Sequence, residues 1–315
     1  MGLLKVFLWV LASLIVVIVS FIHFNKVSDI PVETLKEQWM TKGSAFIDVD
    51  GFPIHVQELG PDNDKTPIIL LHGTGASLHT WSGWVEELST QRRVIAFDLP
   101  AFGLTGPEPN SNYTIERYVD LLIGLMDKLN IERAIIAGNS LGGYIAWASA
   151  VLSPERVEKL ILVDASGYPY ESASVPIAFK LSQNPLAKTL LHNFLPRFIV
   201  RNSIENVYGD PSLVNEALVD RYYQLTRRQG NRAALKERFI QTKPGPLVKS
   251  IGTINVPTLI LWGAKDQLIP QKFAQKFNQD IANSTLVVFE NLGHVPQEEA
   301  PDVTLQPVLE FLANH

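Results

Sequence analysis

The chain has 315 residues, 46% of them apolar, no cysteine, and 27 Lys and Arg against 32 Asp and Glu for a net charge of −5. The lack of cysteine excludes a disulfide framework and is compatible with either side of a membrane. The acidic balance gives no support to nucleic-acid binding, and the length suffices for one large core plus an insertion.

From Val6 to Phe24 the chain is almost wholly apolar, broken only by Ser13, Ser20 and His23, with Lys5 before it and Asn25-Lys26 after it. As a helix, about 19–20 such residues match the hydrocarbon thickness of a bilayer. A cleavable signal has a shorter apolar core and a small-x-small site, and Val19-Ser20-Phe21 offers no such site. Residues 1–25 are therefore expected to form an uncleaved, single-pass membrane anchor. Lys5 and the amino terminus compete with Lys26, Lys36 and Lys42, so the charges leave the side open. The expectation adopted is extracytoplasmic. Residues 26–43 read as a linker, with Pro31 to Met40 forming a short helix that gathers Val32, Leu35 and Trp39 on one side.

The domain proper opens at residue 44. Asp50-Gly51 between two alternating runs is a hairpin signal, which predicts an antiparallel pair. A strand from Pro67 to Leu71 leads into His72-Gly73-Thr74-Gly75, and one from Arg93 to Phe97 leads into Asp98-Leu99-Pro100-Ala101-Phe102-Gly103. Between Asn112 and Asn130, Ile115, Tyr118, Leu122, Leu125 and Leu129 share a helical face. Strand–helix alternation of this kind predicts a mostly parallel sheet with helices on both faces.

Arg133 to Ala137 is a short apolar strand, and Gly143 to Val151 reads as a buried helix. Between them, Gly138-Asn139-Ser140-Leu141-Gly142 sets a serine at the tip of a sharp strand-to-helix turn. Such a turn tolerates no bulk two residues before or after the serine, and the Leu141 amide at the first turn of the helix points where an oxyanion would form. A serine needs a base, and the base an orienting acid. Asp266 lies just past the strand Leu259 to Gly263, and His294 just past the strand Thr285 to Phe289. In a parallel sheet these ends share the edge where ligands bind, so Ser140, His294 and Asp266 are expected to converge. His23 lies in the apolar leader, His315 is terminal and His55 is on an early strand; His79 and His192 lack a partner motif, and His72 reads as a scaffold for the oxyanion loop. Asp164, at the end of the strand Lys159 to Val163, is the rival acid. Asp98 reads as structural.

With these motifs the chain resembles the α/β-hydrolase superfamily, specifically its capped serine hydrolases, over roughly residues 44–315. The resemblance implies an α/β-hydrolase fold with an antiparallel N-terminal hairpin and an inserted helical cap. The core then comprises residues 44–166 and 246–315, and the cap residues 167–245, a stretch without strand alternation. It also implies that the residue after the His-Gly pair, Thr74, donates the second oxyanion-hole amide. Ala101 departs from the pattern, in which glycine is common at that position.

Val175, Ile177, Phe179, Leu181, Leu186, Leu190, Leu191, Phe194 and Phe198 offer the cap an apolar lining. From Gly167 to Lys243 there are eleven Lys and Arg against six Asp and Glu, a charge of +5 in a chain of −5, which suggests contact with anionic head groups. Anchor and apolar cap suit small hydrophobic esters, so a carboxylesterase or lipase is the leading expectation. The alternatives are a carbon–carbon bond hydrolase of ring-cleavage products, which shares the Gly-Asn-Ser-x-Gly-Gly elbow, or a small-molecule receptor on the same fold. No H-E-x-x-H, P-loop or dinucleotide fingerprint occurs, so no cofactor and no metal are expected.

Overall fold

A computed structural model of the chain describes residues 2–169 and 194–314. Helix α1 (Gly2–Phe24) has 23 residues, none buried, and a mean hydropathy of 2.6, and is long and apolar enough to cross a bilayer. Its C-terminal end does not lead into a free tether. The Asn25 carbonyl accepts the Leu195 amide at 3.1 Å, and the Phe21 ring meets those of Phe194 and Phe198 at 5.9 and 6.5 Å. Ile30 then exchanges backbone hydrogen bonds with Arg227 (2.7 Å) and Gln229 (2.9 Å), and Asp29 pairs with Arg232. Helix α2 (Val32–Trp39) buries Leu35 against Leu104 and Leu225, and Trp39 Nε1 donates to Gln224 Oε1 at 3.2 Å. Residues 25–40 thus form a strap across the molecule.

The strands β1 (Ser44–Val49) and β2 (Phe52–Leu59) pair in antiparallel register, Val49 opposite Phe52. Asp50 (φ 57°) and Gly51 (φ 83°) both take the left-handed conformation that a tight two-residue hairpin needs. With β3 (Ile68–Leu71), β4 (Val94–Phe97), β5 (Ala134–Asn139), β6 (Val157–Val163), β7 (Thr258–Gly263) and β8 (Ser284–Phe289) they form one eight-stranded sheet in the order β1-β2-β4-β3-β5-β6-β7-β8. From β4 to β8 all neighbours are parallel. Because β3 has its two successors on either side, the connections diverge there. That divergence opens a crevice at the C-terminal strand ends.

Helices cover both faces. Helix α3 (Ser82–Leu88) and the C-terminal α11 (Pro301–Asn314) pack on one face, where Trp81, Trp84, Val308 and Phe311 meet alternate residues of the central strands. On the other lie α4 (Ile115–Lys128), α5 (Leu141–Leu152) and α9 (Lys272–Asp280). Helix α4 begins at Ile115 rather than Asn112 because Thr114 Oγ1 caps it by accepting the Arg117 amide.

Between β6 and β7 the described part of the insertion holds α6 (Arg197–Glu205), α7 (Glu216–Thr226) and α8 (Asn231–Gln241). Of the expected lining residues, those from Val175 to Leu191 lie outside the described residues. Phe194 and Phe198 turn to Phe21 instead. Several basic side chains here are neutralised internally: Arg197 by Glu216 and Asp220, Arg201 by Glu205 and Glu216, Arg221 by Glu298.

Candidate active site

Ser140 has φ 54° and ψ −112°, a strained conformation for a residue with a side chain. Neighbouring backbone enforces it. Ser140 N–H donates to the Val163 carbonyl, and the Ser140 carbonyl accepts from the amide and hydroxyl of Ser166, all at 3.0 Å. A Cβ at Gly138 would stand 2.1 Å from the Gly142 carbonyl, and one at Gly142 2.1 Å from the Leu71 carbonyl at the end of β3. Gly143 completes the requirement, since a Cβ there would stand 2.5 Å from the Ala165 side chain.

The loop after β3 runs alongside. A Cβ on Gly73 would come within 3.1 Å of Ser140 Cβ, which brings the Gly73-Thr74 backbone against the serine, while Leu141 is the first residue of α5. The buried His72 ring fixes this loop by donating from Nδ1 to the Gly73 carbonyl (2.7 Å) and accepting the Leu99 amide at Nε2 (2.9 Å). Burial pushes its pKa down, so it stays neutral. Beneath it, Asp98 accepts from His55 Nδ1 (2.7 Å), Leu78 N–H (2.8 Å) and Leu104 N–H (2.7 Å). Burial alone would raise its pKa, yet His55 and His72 beside it hold it below the usual carboxylate range. Asp98 is thus a buried brace for two loops.

Opposite stands the imidazole of His294. Its Nδ1 donates to Asp266 Oδ2 at 2.7 Å, and Asp266 Oδ1 accepts the amides of Leu268 (2.7 Å) and Ile269 (3.0 Å). Three donors converge on Asp266, so it serves as the acceptor-only carboxylate. Asp164, the rival acid, is also here and fully buried, with Oδ1 accepting the Gly263 amide at 3.0 Å and Oδ2 without a hydrogen bond among the described residues. Burial, then the Asp266 charge, pushes its pKa well up, so it holds its proton. His294, Asp266 and Asp164 each offer an atom within 4.8 Å of the others. A metal would need free lone pairs, whereas His294 Nδ1 carries its hydrogen to Asp266, whose Oδ1 takes two backbone amides, so this hydrogen-bonded set does not fit one.

Asn139 was not foreseen. Its Nδ2 donates to the His294 carbonyl (2.8 Å) and the Val163 carbonyl (3.2 Å), so the residue before Ser140 holds the backbone of the facing histidine. The variable position of G-x-S-x-G is the only sequence signal that could have pointed to it. Among the described residues no hydrogen bond joins Ser140 to the imidazole. Such contacts commonly tighten only with substrate bound. A small cavity of about 20 Å³ lies beside this edge, where Leu225, Asn231 and Leu235 of the insertion approach Gly75, Ala76 and Phe102.

Residues 66–301 match the profile of a family described as having the alpha/beta hydrolase fold. A 2-hydroxy-6-oxo-2,4-heptadienoate hydrolase from Pseudomonas putida F1 is 31% identical over 84% of this chain and 94% of its own. Among solved structures, a meta-cleavage product hydrolase from Pseudomonas fluorescens IP01 superposes with a TM-score of 0.73 at 29% identity, over 85% of this chain and 97% of that one. A membrane phospholipase A shares the fold over 98% of this chain and 96% of its own, with a TM-score of 0.71 and 24% identity.

Proposed function

The chain belongs to the α/β-hydrolase fold family, and we propose that it is a membrane-anchored serine hydrolase that cleaves hydrophobic carboxylic esters. Ser140 Oγ attacks the ester carbonyl while His294 Nε2 takes its proton. Asp266 holds the imidazole tautomer that keeps Nε2 free to accept, through the 2.7 Å bond to Nδ1. The Leu141 and Thr74 amides stabilise the tetrahedral oxyanion, each worth about 3 kcal/mol. His294 then protonates the departing alcohol, and water releases the acyl group from Ser140. No cofactor takes part in these steps.

The observation that supports an ester from a lipid phase is the union of α1 with the insertion. Residues 21–30 are bonded into 194–195 and 227–232, so the apolar helix is built into the part of the fold that approaches the Gly75–Ala76 loop. A cleavable leader has no such role. On this reading the insertion is a cap held at the membrane surface, where an apolar ester enters from lipid.

The second reading is a carbon–carbon bond hydrolase. The two relatives at 31% and 29% identity are named for that chemistry and not for ester hydrolysis. One further observation favours it. Arg238 of α8 is only 8% exposed, packs on the Phe239 ring, and its guanidinium has no hydrogen bond or ion pair among the described residues. A buried guanidinium without a partner suits a substrate carboxylate. Against it, Arg221 beside the histidine loop is already neutralised by Glu298.

Hydrolysis of p-nitrophenyl esters from acetate to palmitate, alongside a chromophoric ring-cleavage product, separates the two. Turnover of medium or long esters, lost in Ser140→Ala and kept in Arg238→Met, supports the ester reading. Turnover confined to the acidic dienoate, and lost in Arg238→Met, replaces it with the second.

A further inference from the structure

His294 is fixed from three directions: by the acid Asp266, by Asn139 of the elbow, and by the insertion. Val207, just past α6, accepts the His294 amide at 2.7 Å. Helix α10 (Pro296–Glu299) then supplies Glu299, whose carboxylate gathers three backbone N–H groups. Its Oε2 accepts from Gly293 (2.8 Å) and Gly209 (2.9 Å), and its Oε1 from Asp210 (2.8 Å). Gly293 immediately precedes His294, whereas Gly209 and Asp210 belong to the loop between α6 and α7. The contact is backbone on backbone. A Cβ at Gly209 would stand 2.4 Å from the Asn291 carbonyl, and one at Gly293 2.3 Å from the Val207 carbonyl. Next to Glu299, Glu298 takes Arg221 and the Tyr222 hydroxyl (2.7 Å) from α7.

All three partners of Glu299 are donors, so the position calls for two acceptor oxygens. A hydroxyl cannot reach both segments, and an amide would turn an N–H on one of them. Glu299 touches neither Ser140 nor the imidazole, so orienting the base through Asp266 does not call on it.

We propose that Glu299 is a positioning residue that couples the seating of the insertion to the placement of the base. With residues 207–210 docked, the Gly293-His294 backbone is locked from the insertion side by Val207 and Glu299 and from the elbow side by Asn139. With that loop lifted, the bond to Val207 and the bridge through Glu299 are lost, and the imidazole drifts from Ser140. Substrate entry past the insertion and activation of the nucleophile are then linked events. This inference rests on the serine-hydrolase reading.

The test is the rate at which a fluorophosphonate labels Ser140 in the full-length protein in detergent, since that acylation depends on the base. Glu299→Ala removes the bridge, and Gly209→Ala disturbs it from the insertion side alone. Both are expected to label about 100-fold more slowly, the loss typical of a misplacement near 1 Å, yet to reach full stoichiometry. Glu299→Gln keeps one acceptor and should fall between them and the wild type, which preserves the test where the alanine variants fold poorly. In steady state the loss should appear in kcat with KM little changed. Folded variants that label at the wild-type rate overturn the proposal. So does a reduced labelled fraction with an unchanged rate, which marks a purely structural role. A wild type that is not labelled, or a Ser140→Ala protein that labels equally, defeats the serine-hydrolase reading itself and the proposal with it.

Discussion

The nucleophile elbow and the histidine loop reach the same strand edge by different physics. Around Ser140 the geometry is local: Gly138, Gly142 and Gly143 let strand, turn and helix close on one another, and the conformation follows from steric exclusion. Around His294 it is assembled from afar: Asp266 from β7, Asn139 from β5, Val207 from the insertion and Glu299 from α10. The first is rigid by exclusion, the second by satisfied hydrogen bonds. The difference teaches where control enters. A moving insertion leaves the elbow untouched but alters the partners of the base.

Five substitutions break or sharpen this contrast, beginning with the largest losses of activity. Ser140→Ala should lower kcat about 10⁶-fold in a steady-state assay with the thermal midpoint unchanged, because it removes the nucleophile and leaves the elbow backbone intact. Asp266→Asn should cost about 10⁴-fold in kcat by releasing the wrong imidazole tautomer. Asp164→Asn, by contrast, should remain active, since His294 is bonded to Asp266. Its raised pKa means the folded state keeps a proton that the unfolded chain releases above pH 3.8. The stability Asp164 lends is whole below pH 3.8 and is lost as pH rises through the raised folded value. The asparagine variant should therefore melt higher than wild type at pH 7, with no gain at pH 3.5.

Gly138→Ala tests the steric half of the contrast. A Cβ 2.1 Å from a backbone carbonyl has nothing flexible to displace, so a loss on the order of 4 kcal/mol in a denaturant titration is expected. His79→Gln tests the strap. Buried between Ser77 Oγ and the Trp39 carbonyl, His79 is pushed down from 6.5 to about 4 by burial. The unfolded chain protonates below pH 6.5 and the folded chain only near 4, so stability is full above 6.5 and falls by about 3 kcal/mol towards pH 4. Thermal melts of the glutamine variant should lack that acid-dependent loss.

Legibility in the sequence followed the range of the interactions. The elbow could be read because its requirements fall within six residues, and Asp266 and His294 because each follows an apolar strand whose end is marked by glycine. The hairpin at Asp50-Gly51 and the face of α4 were legible for the same reason. Asn139 was hidden because a polar residue at the variable position of the motif has many uses, and only the arrival of the His294 carbonyl selects one. Glu299 belongs to no motif, because an acid at a helix end has many uses. Residues 26–43 read as a linker because their polar and apolar residues have no internal partner, and Leu35 and Trp39 find theirs in Leu225 and Gln224.

The substrate class divides along the same line. The α1 pattern and the charge balance are properties of composition, while the pairing of Arg197 and Arg201 with acids of the insertion, and of Arg221 with Glu298, decides which charges face one another, which no count could reveal.

By itself, then, the sequence determined the sheet and the elbow and pointed to His294 with two candidate acids at the strand ends, because apolar periodicity and glycine sterics act between near neighbours. Only the tertiary structure decided which acid serves His294, which keeps its proton, and what holds the base in place. Those outcomes turn on burial and on hydrogen bonds between segments far apart in the chain, and both exist only once the chain has closed on itself.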